Sequence, residues 1–131
     1  MQAQRNKYLE TTVQTASPAQ LLIMLCNGAI KFCKLGMEAI ENKEYAEANR
    51  HLVRAQDIVQ EFRVTLNRNI DIAQNLDALY DYFNRRLIEA NVQKQTEPVQ
   101  EVIGFLTELK EAWAEAAKSV PTAGDGGVKY G

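Results

Sequence analysis

Apolar residues return at every third or fourth position through four successive stretches of about twenty residues, with polar or proline-marked breaks between them. That period belongs to the α-helix; a half-buried strand would alternate. Only 7 Gly and 3 Pro occur in the 131 residues, too few for a turn-rich all-β chain. The first stretch opens at Ser17-Pro18, a hydroxyl that can accept from free N–H groups followed by a residue with none to lose, and runs to about Ile40. Glu41-Asn42-Lys43 reads as a connection. A second helix is predicted from Tyr45 to Leu66, with Tyr45, Ala48, Leu52, Ala55, Val59, Phe62 and Leu66 on one face. Asn67-Arg68-Asn69 breaks it. The third runs from Ile72 to Gln93 along a seam of Ile72, Leu76, Leu79, Phe83, Leu87 and Ala90. Thr96 and Pro98 open the fourth, which presents Val99, Val102, Leu106, Leu109, Trp113 and Ala116 and ends near Lys118. Short connections make neighbouring helices antiparallel. The expected fold is all-α: an up-down four-helix bundle over 15–118, preceded by a mobile N-terminal arm, 1–14, and followed by a disordered Gly-rich tail, 119–131.

The first helix has more apolar surface than a bundle position needs. At about 100° per residue, Leu21, Leu25, Phe32, Leu35 and Ala39 form one stripe. Ile23, Cys26, Ile30 and Met37 form a second on nearly the opposite side, and Asn27, Lys31, Lys34, Glu38 and Glu41 share the narrow remainder. The apolar arc spans on the order of 250°, wider than one face of a surface helix. Two readings follow: a central helix covered by its own neighbours or by the arm, or a groove for an amphipathic partner helix. Tyr8, Leu9 and Val13 could lie in such a groove until a partner displaces them. The groove candidates are Ile23, Cys26, Ile30 and Met37; Val53 and Val64, eleven apart on one line of the second helix, extend them, and Ile88 and Val92 lie off the third seam. An uncovered surface of this kind also offers a route to self-association when the chain is empty.

Composition and residue inventory exclude several classes of chemistry. A net charge of −2 and a pI near 5.5 argue against a nucleic-acid interface, which needs a basic stripe. No uninterrupted apolar run approaches the roughly 20 residues of a membrane span, and MQAQRNKYLETTVQ has no signal-peptide core, so no membrane insertion is expected. Cys26 and Cys33 lie seven apart on a helix, roughly 10 Å, too far for a disulfide; free thiols suit a reducing cytoplasm. His51 is the single histidine, which removes His-based triads and the paired Glu-x-x-His motifs of di-iron bundles; no zinc spacing and no phosphate loop is present. No metal, cofactor or catalytic group is expected. The alternatives from other classes are a phosphotransfer module using His51 and a bundle adaptor serving another client. Tyr80-Asp81-Tyr82 with Arg85-Arg86 reads either as a polar binding patch or as inter-helix bonding that sets register.

Thr15-Ala16-Ser17-Pro18, Leu21, Met24-Leu25 and Asn27-Gly28-Ala29 resemble the opening helix of the flagellin-specific secretion chaperones, the FliS family. So does Leu79-Tyr80-Asp81-Tyr82-Phe83-Asn84-Arg85-Arg86-Leu87 with Glu89-Ala90-Asn91, together with Ala55-Gln56-Asp57-Ile58-Val59, Thr65-Leu66-Asn67, and Glu101-Val102 leading to Glu111-Ala112-Trp113. The resemblance spans 8–117 in order; the Gly-rich tail falls outside it, and Cys26 stands where the family usually has an aromatic residue. It implies a cytoplasmic chaperone that binds the C-terminal helical segment of flagellin one-to-one, blocks premature filament assembly and presents its client to the flagellar export gate. It also implies that the segment around Tyr8 docks at the gate and can cover the groove.

Overall fold

A computed structural model describes residues 18–118. The arm with Tyr8, Leu9 and Val13, and the tail 119–131, lie outside the described residues. Four helices account for nearly all of the described chain: α1 (Pro18–Glu41), α2 (Tyr45–Thr65), α3 (Ala73–Gln93) and α4 (Glu97–Lys118). Each packs on the next and α4 returns to α1, which closes the expected antiparallel ring. The α3–α4 seam is the sparsest of the four.

The connections follow local chemistry. α1 and α3 both stop at a lysine with positive φ, Lys43 at 60° and Lys94 at 55°. This left-handed step lets backbone N–H groups reach the last carbonyls: Glu44 donates to Ala39 at 2.8 Å and Gln95 to Ala90 at 3.1 Å. α2 ends where Leu66 turns extended, and the Asn67 side chain accepts from the Asn69 N–H at 3.0 Å, a local turn that competes with further helix. Pro98 occupies the first turn of α4 and is buried.

The core is apolar throughout; no polar or charged residue among those described is buried. α2 contributes Ala48, Leu52, Ala55, Val59 and Phe62, and α4 contributes Val99, Val102 and Leu106, on the faces their periodicity predicts. Tyr45 and Ala116, placed at the ends of those faces, and Ile72, placed at the start of the third seam, are exposed instead. Tyr80 corrects the reading of the third helix: its ring is buried and stacks on Phe62 with centroids 5.0 Å apart. Burial also pushes its phenol upward, well beyond the usual range.

α1 departs most from expectation. Its buried residues are Cys26, Ala29, Cys33, Gly36, Ala39 and Ile40, centred between the two apolar stripes and taking only Ala39 from the first and Cys26 from the second. The small side chains let α1 approach closely, and the larger residues become shoulders on either side. Phe32 leans toward α2, its ring 6.1 Å from that of His51, while Ile30 lies on the α4 flank beside Thr107 and Lys110. Gly36 is required by this contact: a Cβ there would stand 2.7 Å from Leu52 Cδ2.

A candidate docking cleft between the first and last helices

Of the residues singled out on α1, Ile30 and Met37 are half-buried and pack against the core from its α4 side. Ile23, seven residues before Ile30 and so on the same line of the helix, is half-buried as well. Cys26 is not part of this surface. It is 0% exposed, because the inward line of α1 runs through it, and desolvation raises its thiol to about 12. A client could touch it only after the bundle opened.

Ile30 instead lines an open cleft of about 580 Å³ on the α4 side of α1, and Leu35 lines it from the far side of the polar strip. Asn27, Lys31, Lys34 and Glu38 of α1 border it on one side, Thr107 and Lys110 of α4 on the other. The sequence could have flagged Lys31 and Lys34 from their place beside Ile30. Thr107 and Lys110 depend on the α1–α4 register, which no local signal supplies.

Val53 and Val64 do not extend this cleft. α2 meets α1 through His51 and Ile58 and meets α3 through Asn49 and Arg63. Val53 and Val64 lie on the α3 side of that helix, exposed at 40% and 69%. The Asn91–Asn49 bond and the Arg63–Asp77 pair set one antiparallel register, which brings Val53 level with Ile88. Ile88 and Val92 are exposed too, so the scattered off-face residues make a separate apolar area on the α2–α3 side.

The polar runs of α3 act between helices. Tyr82 donates to Glu101 at 2.9 Å and Arg86 Nε to the same carboxylate at 2.7 Å, closing the sparse α3–α4 seam. These two donors hold the Glu101 carboxyl below its usual range, Arg86 contributing most. Arg63 and Arg68 of α2 and its following loop bind Asp77 at 2.9 and 3.2 Å, whereas Arg85 pairs with Asp81 at 3.1 Å within α3 itself. His51 turns toward α1: its side chain is 14% exposed, its Nε2 lies 3.7 Å from Glu47, and its Nδ1 is buried without a partner among the described residues. A relay histidine must meet a phosphodonor in solvent, and this one is stacked under Phe32 and flanked by Arg54, whose guanidinium sits 5.1 Å from the same ring. No cluster of metal-ligating side chains occurs among the described residues.

By length and composition alone α1 could cross a membrane. Its inward line is closed against α2 and α4, and its outer line carries Lys31, Lys34 and Glu38, as befits the central helix of a bundle.

An apolar cleft bordered by charge on a four-helix scaffold defines a small helical-bundle binding protein. Residues 1–120 match the family described as Flagellar protein FliS. The chain is 43% identical over 112 residues to the flagellar secretion chaperone FliS of Bacillus subtilis, covering 86% of this chain and 84% of that one. It is 32% identical over 110 residues to its namesake in Salmonella typhimurium, covering 82% of each. The counterpart in Vibrio cholerae is 30% identical over 115 residues, covering 86% of this chain and 85% of the other. The chain belongs to the FliS family of flagellar secretion chaperones.

Proposed function

We propose that this chain is a cytoplasmic export chaperone that binds the C-terminal helical segment of flagellin, keeps it from polymerising prematurely and delivers it to the flagellar export gate. No catalytic step is involved. The observation that carries this reading is the α4-side shoulder of α1. Ile23, Ile30 and Met37 are half-buried by the bundle alone, and Ile30 lines an open cleft, so a docking helix can complete their burial. Family membership supplies the flagellar client class. The segment around Tyr8, with Leu9 and Val13, is assigned the roles of groove cover and gate docking that the family resemblance implies. The α2–α3 area around Val53, Ile88 and Val92 gives an extended client a second apolar foothold.

Gel filtration of the chain mixed with purified flagellin tests the reading. Intact flagellin should co-elute in a one-to-one complex, and flagellin lacking its last helical segment should not. Equal co-elution of both forms would overturn it.

A further inference from the structure

The cations of this chain are unevenly used. Arg50, Arg63, Arg68, Arg85, Arg86 and Lys118 all sit in ion pairs. Among the described residues Lys43, Arg54 and Lys94 lie outside ion pairs, Arg54 over the Phe32 ring and Lys94 bonded to Asn91, and so do the three lysines that share the α1–α4 cleft. Lys31 and Lys34 stand exposed one helical turn apart on α1, and Lys110 faces them half-buried from α4. None of the three has a carboxylate partner within ion-pair distance among the described residues, and Glu38 is the one acidic side chain on the cleft border. Lys31 does rest 5.8 Å from the Phe32 ring. A cluster of uncommitted positive charge on a chain of net charge −2 marks a surface whose counter-charge comes from elsewhere.

We propose that this cleft selects a client helix whose apolar stripe is bordered by carboxylates, the stripe lying on Ile30, with the carboxylates of one border meeting Lys31 and Lys34 and those of the other meeting Lys110. The inference rests on the reading above that the α1 shoulder holds the client's terminal helix, and adds the chemistry by which that helix is chosen. Lys31 and Lys34 are about 4.5 Å apart along the α1 axis, so acidic residues at i and i+3 or i+4 of a partner helix match their spacing. The chain's own termini do not supply them. Residues 1–17 contain Arg5 and Lys7 against Glu10, and in 119–131 Asp125 is offset by Lys129.

The test uses the full chain and two fluorescein-labelled amphipathic peptides sharing one leucine stripe, bordered by Glu in one and by Lys in the other. By anisotropy the Glu-bordered peptide should bind about tenfold more tightly, a gap that narrows with added salt. The exposed double variant Lys31→Glu/Lys34→Glu should reverse the order, and Lys43→Glu, at the α1–α2 turn, should leave it unchanged. Equal affinity for both peptides, or an unreversed preference in the double variant, would overturn charge selection. Two further results would do the same by assigning the lysines to another occupant. One is a dimer in sedimentation that the double variant disperses. The other is capture on phosphatidylcholine vesicles containing phosphatidylserine that the double variant abolishes. Failure here and failure of the functional reading are separable. If Ile30→Asp abolishes flagellin binding while the double charge variant binds flagellin normally, the cleft works by apolar contact alone and the inference fails. If the Glu-bordered peptide is preferred but flagellin does not bind, charge selection stands and the identity of the client is wrong.

Discussion

Leu52 of α2 fills the space over Gly36 of α1: its Cδ2 would lie 2.7 Å, and its Cγ 2.9 Å, from a Cβ built there. Both residues are buried, and both atoms belong to a side chain packed in the core. Gly36→Ala therefore forces α1 and α2 apart or drives Leu52 off its rotamer. It should cost about 1–3 kcal/mol, measured as a lowered midpoint in urea with the slope unchanged.

Gly104 on α4 is the opposite case. Nothing lies within 4 Å of a Cβ built on it, and its backbone is ordinary helix. Gly104→Ala should stabilise the bundle by about 0.5–1 kcal/mol through reduced freedom of the unfolded chain. The same urea titration reads it, and a loss of stability would show that the exposed face of α4 is not open.

Cys26 and Cys33 are both sealed in the core, and desolvation lifts each thiol to about 12, at Cys26 against a lowering pull from Lys110. At pH 8 neither should react with a disulfide reagent such as DTNB on the time scale of mixing, and both should react at once when denaturant unfolds the chain. Rapid labelling of the native protein at Cys26 would return that residue to the docking surface.

How far sequence reasoning reached depended on where the signal was local. The four helices, their short loops and the inward faces of α2 and α4 were legible because Pro18, Asn67 and Pro98 mark breaks and because Leu52, Val59, Val102 and Leu106 recur at helical spacing. The inward face of α1 was not. Choosing the bulkiest stripe as core assumes that large side chains point at the centre, yet close helix approach favours Cys26, Ala29, Cys33 and Gly36 there and pushes Phe32 and Ile30 to the shoulders. Tyr80 was hidden by its polar neighbour Asp81, although its ring belongs to the seam. The cleft was half legible: Ile30 was, but Leu35 was placed in the other apolar stripe, and Lys110 joins only through a tertiary register.

Glu101 accepts from both Tyr82 and Arg86 across the sparsest seam of the ring. Its carboxyl is held below the usual glutamate range, chiefly by the hydrogen bond from Arg86. The stability it contributes is therefore fully present above the unfolded-state value and is lost as the pH falls through the lowered folded value. Glu101→Gln should reduce stability at neutral pH and flatten the acid limb of the stability curve, so that the two proteins converge in acid. Denaturation midpoints from pH 7 down to pH 3 measure this; parallel curves would show that the pair is silent.

The central claim is that the α4-side shoulder of α1, not its buried line, takes up the client. Calorimetric titration of flagellin into Ile30→Asp tests it most directly, with Ile23→Asp as a second variant because Ile23 is half-buried on the same line of α1 outside the packed core cluster. Both proteins should remain helical by circular dichroism, and binding should weaken more than about tenfold, or about 1.4 kcal/mol. Folded variants that bind flagellin as tightly as the unaltered chain would contradict the claim.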